Sequence, residues 1–142
     1  MCIRDSLIDV EIFTGDDTVR SILAAAHRAN VPVIASNHHF HETPAQETLL
    51  EILTKMDQMG ADILKIAVMP QSRKDVLTLL SATEEMDLRT AKPLITMSMG
   101  PVGMISRLCE MCIRDRSHIP FRIYNPICTH PPVPQPALVL NS

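Results

Sequence analysis

Short apolar runs alternate with amphipathic stretches along residues 7–110 of this chain. The apolar runs are rich in valine and isoleucine and are bounded by Gly, Pro, Asp or Asn, which is typical of buried β-strands. The stretches between them carry apolar residues at helical spacing. We therefore predict four strands, at residues 7–13, 31–37, 63–69 and 94–99.

Three helices are predicted between these strands. The first begins at the acidic pair 16–17 and ends at Asn30, and the second opens at the Thr-Pro pair 43–44 and closes at Gly60. Ser72 can cap the third. A final helix is expected after the Gly-Pro-Val-Gly turn at 100–103, running as far as residue 110.

The strands begin at intervals of about 24 to 32 residues, and amphipathic helices separate them. This order predicts an α/β fold in which helices cover a parallel sheet. A complete eight-fold β/α barrel takes about 250 residues, so the prediction is a partial (βα)8 TIM barrel of about four units. Side chains such as Val33, Ile66 and Ile95 are expected to face the missing half. A doubly wound sheet is the alternative, disfavoured because no GxGxxG turn follows any strand.

Residues 1–6 read MCIRDS and residues 111–116 read MCIRDR, yet the flanks of the two hexamers share nothing. The string resembles the translation of a sequencing adapter, and we interpret both copies as artefacts outside the fold. A duplicated binding motif is the alternative. Adapter bases in raw reads across residues 6–7 and 110–111 would support the first interpretation, and clean genomic reads would support the second.

The segment 117–142 holds six of the eleven prolines and has no lasting helical or strand periodicity. It is interpreted as a disordered Pro-rich tail or as unrelated sequence, with a PxxP ligand as the alternative, and it is assigned no function. The chain is therefore divided into four parts: an adapter-like hexamer at 1–6, the partial barrel at 7–110, a second adapter-like hexamer at 111–116 and the unassigned Pro-rich tail at 117–142.

The chain is 46% hydrophobic, with 13 basic and 16 acidic side chains. A net charge of −3 gives no electrostatic reason to expect a nucleic acid or an anionic membrane as partner. No apolar run reaches the roughly 18 residues of a membrane helix. Without the hexamers only Cys109 and Cys128 remain, which form no zinc pattern and are consistent with a cytoplasmic location.

Lys65 lies in the middle of the third predicted strand among apolar neighbours. Burial lowers the pKa of lysines in general, and a neutral amine is what a Schiff-base nucleophile requires. The alternative is a structural lysine that pairs with a carboxylate such as Asp62. The pattern alone leaves both interpretations open.

His38, His39 and His41 follow the second strand, at the rim where barrel enzymes carry catalytic loops. An acid/base histidine is favoured over a metal site, because adjacent residues of an extended segment point in opposite directions, and a merely structural imidazole is the alternative. Arg107, in the last predicted helix, can clamp a substrate carboxylate or can be a solvated helix residue. Glu11 suggests an interior polar contact, with a plain ion pair as the alternative.

Four segments together resemble type I 3-dehydroquinate dehydratase: EIFTGD at 11–16, SNHHFHETP at 36–44, KIAVMPQS at 65–72, and ITMSM at 95–99 with ISRL at 105–108. The resemblance covers 7–110, about the third to sixth units of that family's barrel. It implies a small-molecule substrate, dehydration of 3-dehydroquinate in the shikimate pathway, no metal or organic cofactor, and a family that is often homodimeric.

The same resemblance implies that His38 transfers protons, that Lys65 forms the Schiff base and that Arg107 binds the substrate carboxylate. It also implies that the acid orienting the histidine comes from strands before Leu7, and that a closing loop follows Arg107. The chain as given is therefore expected to be a truncated piece, inactive and poorly folded alone, although sheet pairing can persist in a compact species. Another lysine Schiff-base barrel enzyme, such as a class I aldolase, and a non-catalytic binding module are the alternatives.

Overall fold

The computed structural model describes residues 6–104 and 106. Strands and helices alternate strictly along this part of the chain, as predicted. In order they are β1 (Ile8–Glu11), α1 (Asp16–Arg28), β2 (Val33–His39), α2 (Gln46–Gln58), β3 (Ile63–Val68), α3 (Arg73–Arg89) and β4 (Leu94–Ser98). No helix in the described ranges is long and apolar enough to cross a membrane.

The four strands form one parallel sheet in the order β1-β2-β3-β4, so each strand pairs with the next one in the sequence. The register aligns Glu11 with Ser36, Ser36 with Lys65, and Lys65 with Ile95. Because side chains alternate between the two faces of a strand, this row points to one side of the sheet.

One face of the sheet is covered by all three helices. Its strand residues are mostly apolar and join helix residues in a single buried cluster, to which the strands contribute Val10, Val33, Ala35, Leu64, Ile66 and Val68, and Ile12 joins them directly after β1. A doubly wound sheet would carry helices on both faces. The described part of the chain therefore has the layers of a partial barrel, with helices on one face of the sheet. The doubly wound alternative is wrong.

The opposite side of the sheet, here called the open face, meets no helix in the described ranges. It is formed by Asp9, Glu11, Ile34, Ser36, His38, Ile63, Lys65, Ala67, Ile95 and Met97. The expectation that Val33 and Ile66 point to this side is wrong, because both are fully buried under the helices. Ile95 does point to it, beside Lys65.

The ends of the elements follow local chemistry. Ser72 caps α3 as predicted, in a capping box with Asp75, and Gly60 ends the turn after α2 at a φ of 90°, which favours glycine. β1 is shorter than predicted, because the backbone turns where Thr14 N donates to Glu11 O over 3.2 Å. β2 continues two residues further than predicted, to His39.

Several predictions fall on residues that the structure does not describe. These are the hexamer assignments, apart from residue 6, the tail at 117–142, and the last predicted helix beyond residue 106. Met104 and Ser106 are helical, in agreement with a helix beginning after the turn at 100–103. Arg107 lies outside the described residues.

Candidate active site

Lys65 lies at the centre of β3 and points to the open face, between two residues that are fully buried under the helices, Leu64 and Ile66. Its side chain is 22% exposed, and its Nζ donates to Oδ2 of Asp9 over 2.9 Å. The predicted alternative partner, Asp62, is wrong. The Asp62 carboxylate instead binds His27 Nε2 and accepts from Val33 N, each over 2.8 Å.

Asp9 uses both of its carboxylate oxygens on the open face. Oδ2 binds the Lys65 ammonium, and Oδ1 accepts a hydrogen bond from the Ser36 hydroxyl. Partial burial opposes ionisation of this carboxyl, but the hydrogen bonds from Lys65 and Ser36, together with the charge of Lys65, outweigh it. The pKa of Asp9 is therefore held below its ordinary value of 3.8.

His38 is held by the second carboxylate of β1. Its Nδ1 lies 2.8 Å from Oε2 of Glu11, and Oε1 of Glu11 accepts from Asn37 Nδ2 over 3.0 Å. The imidazole also stacks on the Phe40 ring, with centroids 5.7 Å apart. With a carboxylate as acceptor, Nδ1 carries the hydrogen, which leaves Nε2 to take up a proton.

Glu11 makes polar contacts with both Asn37 and His38, but its side chain is 39% exposed, so these contacts lie on the open face and not in the interior. The acid that orients His38 was expected to come only from strands before Leu7, whereas Glu11 of β1 makes that contact in this structure. The sequence offered no direct sign of the pairing, since Glu11 and His38 are 27 residues apart and meet only because β1 and β2 are paired.

The other two histidines of the segment point elsewhere. His39 ends β2 on the helix side, with its Nε2 buried and lacking a partner among the described residues. His41 is exposed, and its backbone oxygen accepts from Gln71 Nε2 over 2.9 Å. Within the described ranges, no three His, Cys, Asp or Glu side chains converge as a metal-binding group would require.

The turn that leads towards Arg107 is fixed against the end of β4. Ser106 Oγ accepts from Ser98 N over 3.2 Å and donates to Gly103 O over 2.8 Å. A Cβ at Gly103 would lie 2.2 Å from the Ser98 carbonyl oxygen, so no larger residue fits without moving the backbone. Neither contact was predicted, although the fixed spacing of Gly103, Ser106 and Arg107 was the available signal.

Lys65 and His38 lie on neighbouring strands and on the same face. Lys65 is in register with Ser36, which is two residues before His38, so about 7 Å along the strand separates the two levels. A small molecule attached at Nζ therefore lies within reach of the imidazole. A lysine among apolar neighbours is the kind of residue that serves as a Schiff-base nucleophile, and here an imidazole lies on the same face of the sheet.

Comparison with known proteins gives the family. Residues 5–113 match the family described as type I 3-dehydroquinase. The 3-dehydroquinate dehydratases of Salmonella typhimurium and Salmonella enteritidis are each 59% identical to this chain over 103 residues. The chain belongs to the type I 3-dehydroquinase family.

Solved structures support the same assignment. Type I 3-dehydroquinate dehydratase from Clostridium difficile, solved with covalently modified comenic acid, matches with a TM-score of 0.73 and 50% identity over 75% of this chain. The enzyme from Enterococcus faecalis matches with a TM-score of 0.70 and 46% identity over 72% of this chain. The chain spans 41% of the length of the two Salmonella relatives and 42% to 43% of these two structures.

Proposed function

We propose that this chain carries the lysine and histidine of a type I 3-dehydroquinate dehydratase, which converts 3-dehydroquinate to 3-dehydroshikimate in the shikimate pathway. The observation that carries the proposal is the placement of Lys65 and His38 on one face of two paired strands. Each of them binds a carboxylate of β1: Asp9 binds Lys65, and Glu11 binds His38. Family membership and the names of the relatives support the choice of substrate.

In the proposed reaction, the neutral amine of Lys65 adds to the substrate ketone. The proton that left the Lys65 ammonium returns to the hydroxyl of the adduct, which departs as water. The product is an iminium, whose positive charge acidifies the adjacent C–H bond. His38 removes that proton through Nε2, because Nδ1 is occupied by Glu11. The electron pair of the C–H bond forms an enamine, and collapse of the enamine expels the hydroxyl group.

His38 then returns its proton to the departing hydroxyl, which leaves as water. Hydrolysis of the product iminium frees Lys65. In this scheme Arg107 binds the ring carboxylate and turns the C–H bond towards His38, which is a positioning effect. The steps need no metal or organic cofactor, and the expected partner is a small molecule. We also propose that the protein is cytoplasmic and that it forms a homodimer, as much of the family does.

The test uses a completed barrel, in which residues 7–110 replace the matching region of the Salmonella typhimurium relative. Borohydride reduction in the presence of 3-dehydroquinate should add the mass of the reduced ligand to the peptide that contains Lys65. The peptides of Lys55 and Lys74 are internal controls, because both residues lie on helices. Lys65→Met should abolish both the label and the turnover.

Two results would contradict the proposed function. Label on Lys55 or Lys74, with none on Lys65, would remove the Schiff-base assignment. Turnover by the completed barrel with no covalent adduct at any lysine would show that dehydration proceeds without an imine. Measurement of the dehydroshikimate absorbance decides whether turnover occurs.

A further inference from the structure

Asp9 lies two strands away from Lys65, yet the two side chains meet across β2. The residue between them is Ser36, which is in register with Lys65 and is only 2% exposed. Its hydroxyl donates to Oδ1 of Asp9 and lies 3.5 Å from the Val10 carbonyl oxygen. One oxygen of the Asp9 carboxylate is therefore fixed by the Ser36 hydroxyl, and the other oxygen binds the Lys65 ammonium.

This pair differs from the other lysine pairs in the described ranges. Lys55 binds Asp16, and Lys92 binds Asp57, so both of those pairs involve a helix and lie away from the open face. The Asp9–Lys65 pair joins two strands on the open face and ends at the atom that the proposed reaction uses as nucleophile. An ion pair that served only to hold the sheet would not require the reactive amine.

We propose that Asp9 is the counter-ion of Lys65 throughout the reaction, holding the ammonium before attack and the iminium afterwards. The proposal rests on the proposed function. Its charge balance is complete, because the proton that the ammonium releases before attack returns to the oxygen of the adduct and leaves in water. One ammonium and one ketone therefore give one iminium and one water with no net gain or loss of protons. The same nitrogen carries one positive charge at both stages, so a fixed carboxylate serves both.

A fixed counter-ion determines where the iminium carbon lies relative to His38. The carboxylate oxygen, the nitrogen and the new C=N bond form a short rigid chain once the imine exists. Misplacement of reacting groups by about 1 Å can cost about 10²-fold in rate. Asp9 is therefore a positioning residue, and its loss should affect the step after imine formation more than imine formation itself.

The first experiment compares Asp9→Asn with unmodified completed barrel. Asparagine keeps the size of the side chain and a hydrogen-bonding oxygen, but it removes the charge. We expect kcat to fall by about 10²-fold, with the borohydride label still on Lys65. Asp9→Glu should restore part of the rate because it restores the charge. Asp16→Asn, which removes the carboxylate from the Lys55 pair, is the matched control and should leave kcat unchanged.

The second experiment uses the completed barrel and requires only that β1, β2 and β3 pair. NMR titration of the Asp9 carboxyl carbon should give a pKa below 3.8. The value should rise in Lys65→Met and, by less, in Ser36→Ala. Lys55→Met should change the titration of Asp16 and leave that of Asp9 unchanged.

Three outcomes would overturn the inference. They are an unchanged kcat in Asp9→Asn, loss of cooperative unfolding together with the label in that variant, and an Asp9 titration that does not respond to Lys65→Met. Absence of the Lys65 label in the unmodified completed barrel would instead remove the proposed function. The Asp9 titration would then still report whether the ion pair exists, so the two failures are distinguishable.

Discussion

The two faces of the sheet are built from alternate residues of the same four strands, yet they differ in almost every property. The helix-covered face is mostly apolar, and six strand residues bury their side chains there in one cluster with the helices. The open face carries two carboxylates, one amine and one imidazole within three neighbouring strands. Successive residues of β3, Lys65 and Ile66, therefore belong to different environments.

The difference separates the residues that hold the fold from those that carry the proposed chemistry. Apolar burial stabilises the helix side by about 25 cal/mol per Å² removed from water, without requiring any directed contact. On the open face, a partly exposed ion pair contributes little to stability. We expect the charged groups there to act on a bound molecule, and the predictions below test that division.

The largest effect is expected from His38 on the open face. His38→Ala in the completed barrel should lower turnover by about 10²–10⁴-fold, the contribution of general acid–base catalysis. Imine formation should remain at least partly possible, so borohydride should still label Lys65. His41→Ala is the control, since that side chain is exposed and beyond the strand. Full activity in His38→Ala would move the proton-transfer role to His39 or His41.

Adjacent substitutions in β3 give the sharpest contrast in stability. Ile66→Ala should lower the free energy of unfolding by about 2–5 kcal/mol, because it leaves a cavity under the helices. Lys65→Ala should cost less than about 1 kcal/mol, since it removes only a partly exposed ion pair. Urea unfolding of the completed barrel measures both. Equal losses at the two positions would mean that the open face also holds the fold.

A substitution that touches neither face provides the scale for these losses. Ser72→Ala removes the hydroxyl that accepts from Asp75 N at the start of α3. The expected cost is about 1 kcal/mol, the usual contribution of a helix N-cap. Thr78→Ala in the same helix is a suitable control, because its hydroxyl bonds only within the helix. A cost above that of Ile66→Ala would contradict the view that the buried cluster dominates stability.

The smallest effect concerns acid pH. The pKa of Asp9 is lowered in the folded chain, so the unfolded chain takes up a proton more readily. The stability that Asp9 contributes is therefore present above its unfolded value of about 3.8 and is lost as pH falls through the folded value. At pH 7 the free energy of unfolding of the unsubstituted protein should exceed that of Asp9→Asn by less than about 1 kcal/mol. This difference should shrink below pH 4. A difference that grows in acid would reverse the sign of this linkage.

The number, type and order of the elements were predictable because apolar runs and helical periodicity are local signals. The side to which each strand residue points was not. Val33 and Ile66 lie within nearly continuous apolar runs, and parallel strands buried on both faces carry no alternation that marks one face. Only packing against the helices distinguishes the faces.

Lys65 could be selected from the sequence because a polar group among apolar neighbours is unusual, whereas His38 was selected from three nearby histidines by the family resemblance. Their partners could not. Asp9 is 56 residues from Lys65, and the contact depends on the register of three strands, which the sequence does not display. For the same reason Asp62, which is close to Lys65 in the sequence, was the wrong candidate.

The strand order has a consequence for how such a chain assembles. Among the described strands, β2, β3 and β4 each pair with the strand made just before them. Synthesis from the ribosome delivers the units in the order in which they pair. The β1–α1–β2 unit, with both carboxylates already facing the same side, can form before Lys65 is synthesised. When β3 pairs with this unit, Lys65 therefore meets an Asp9 side chain that is already positioned by β1 and β2.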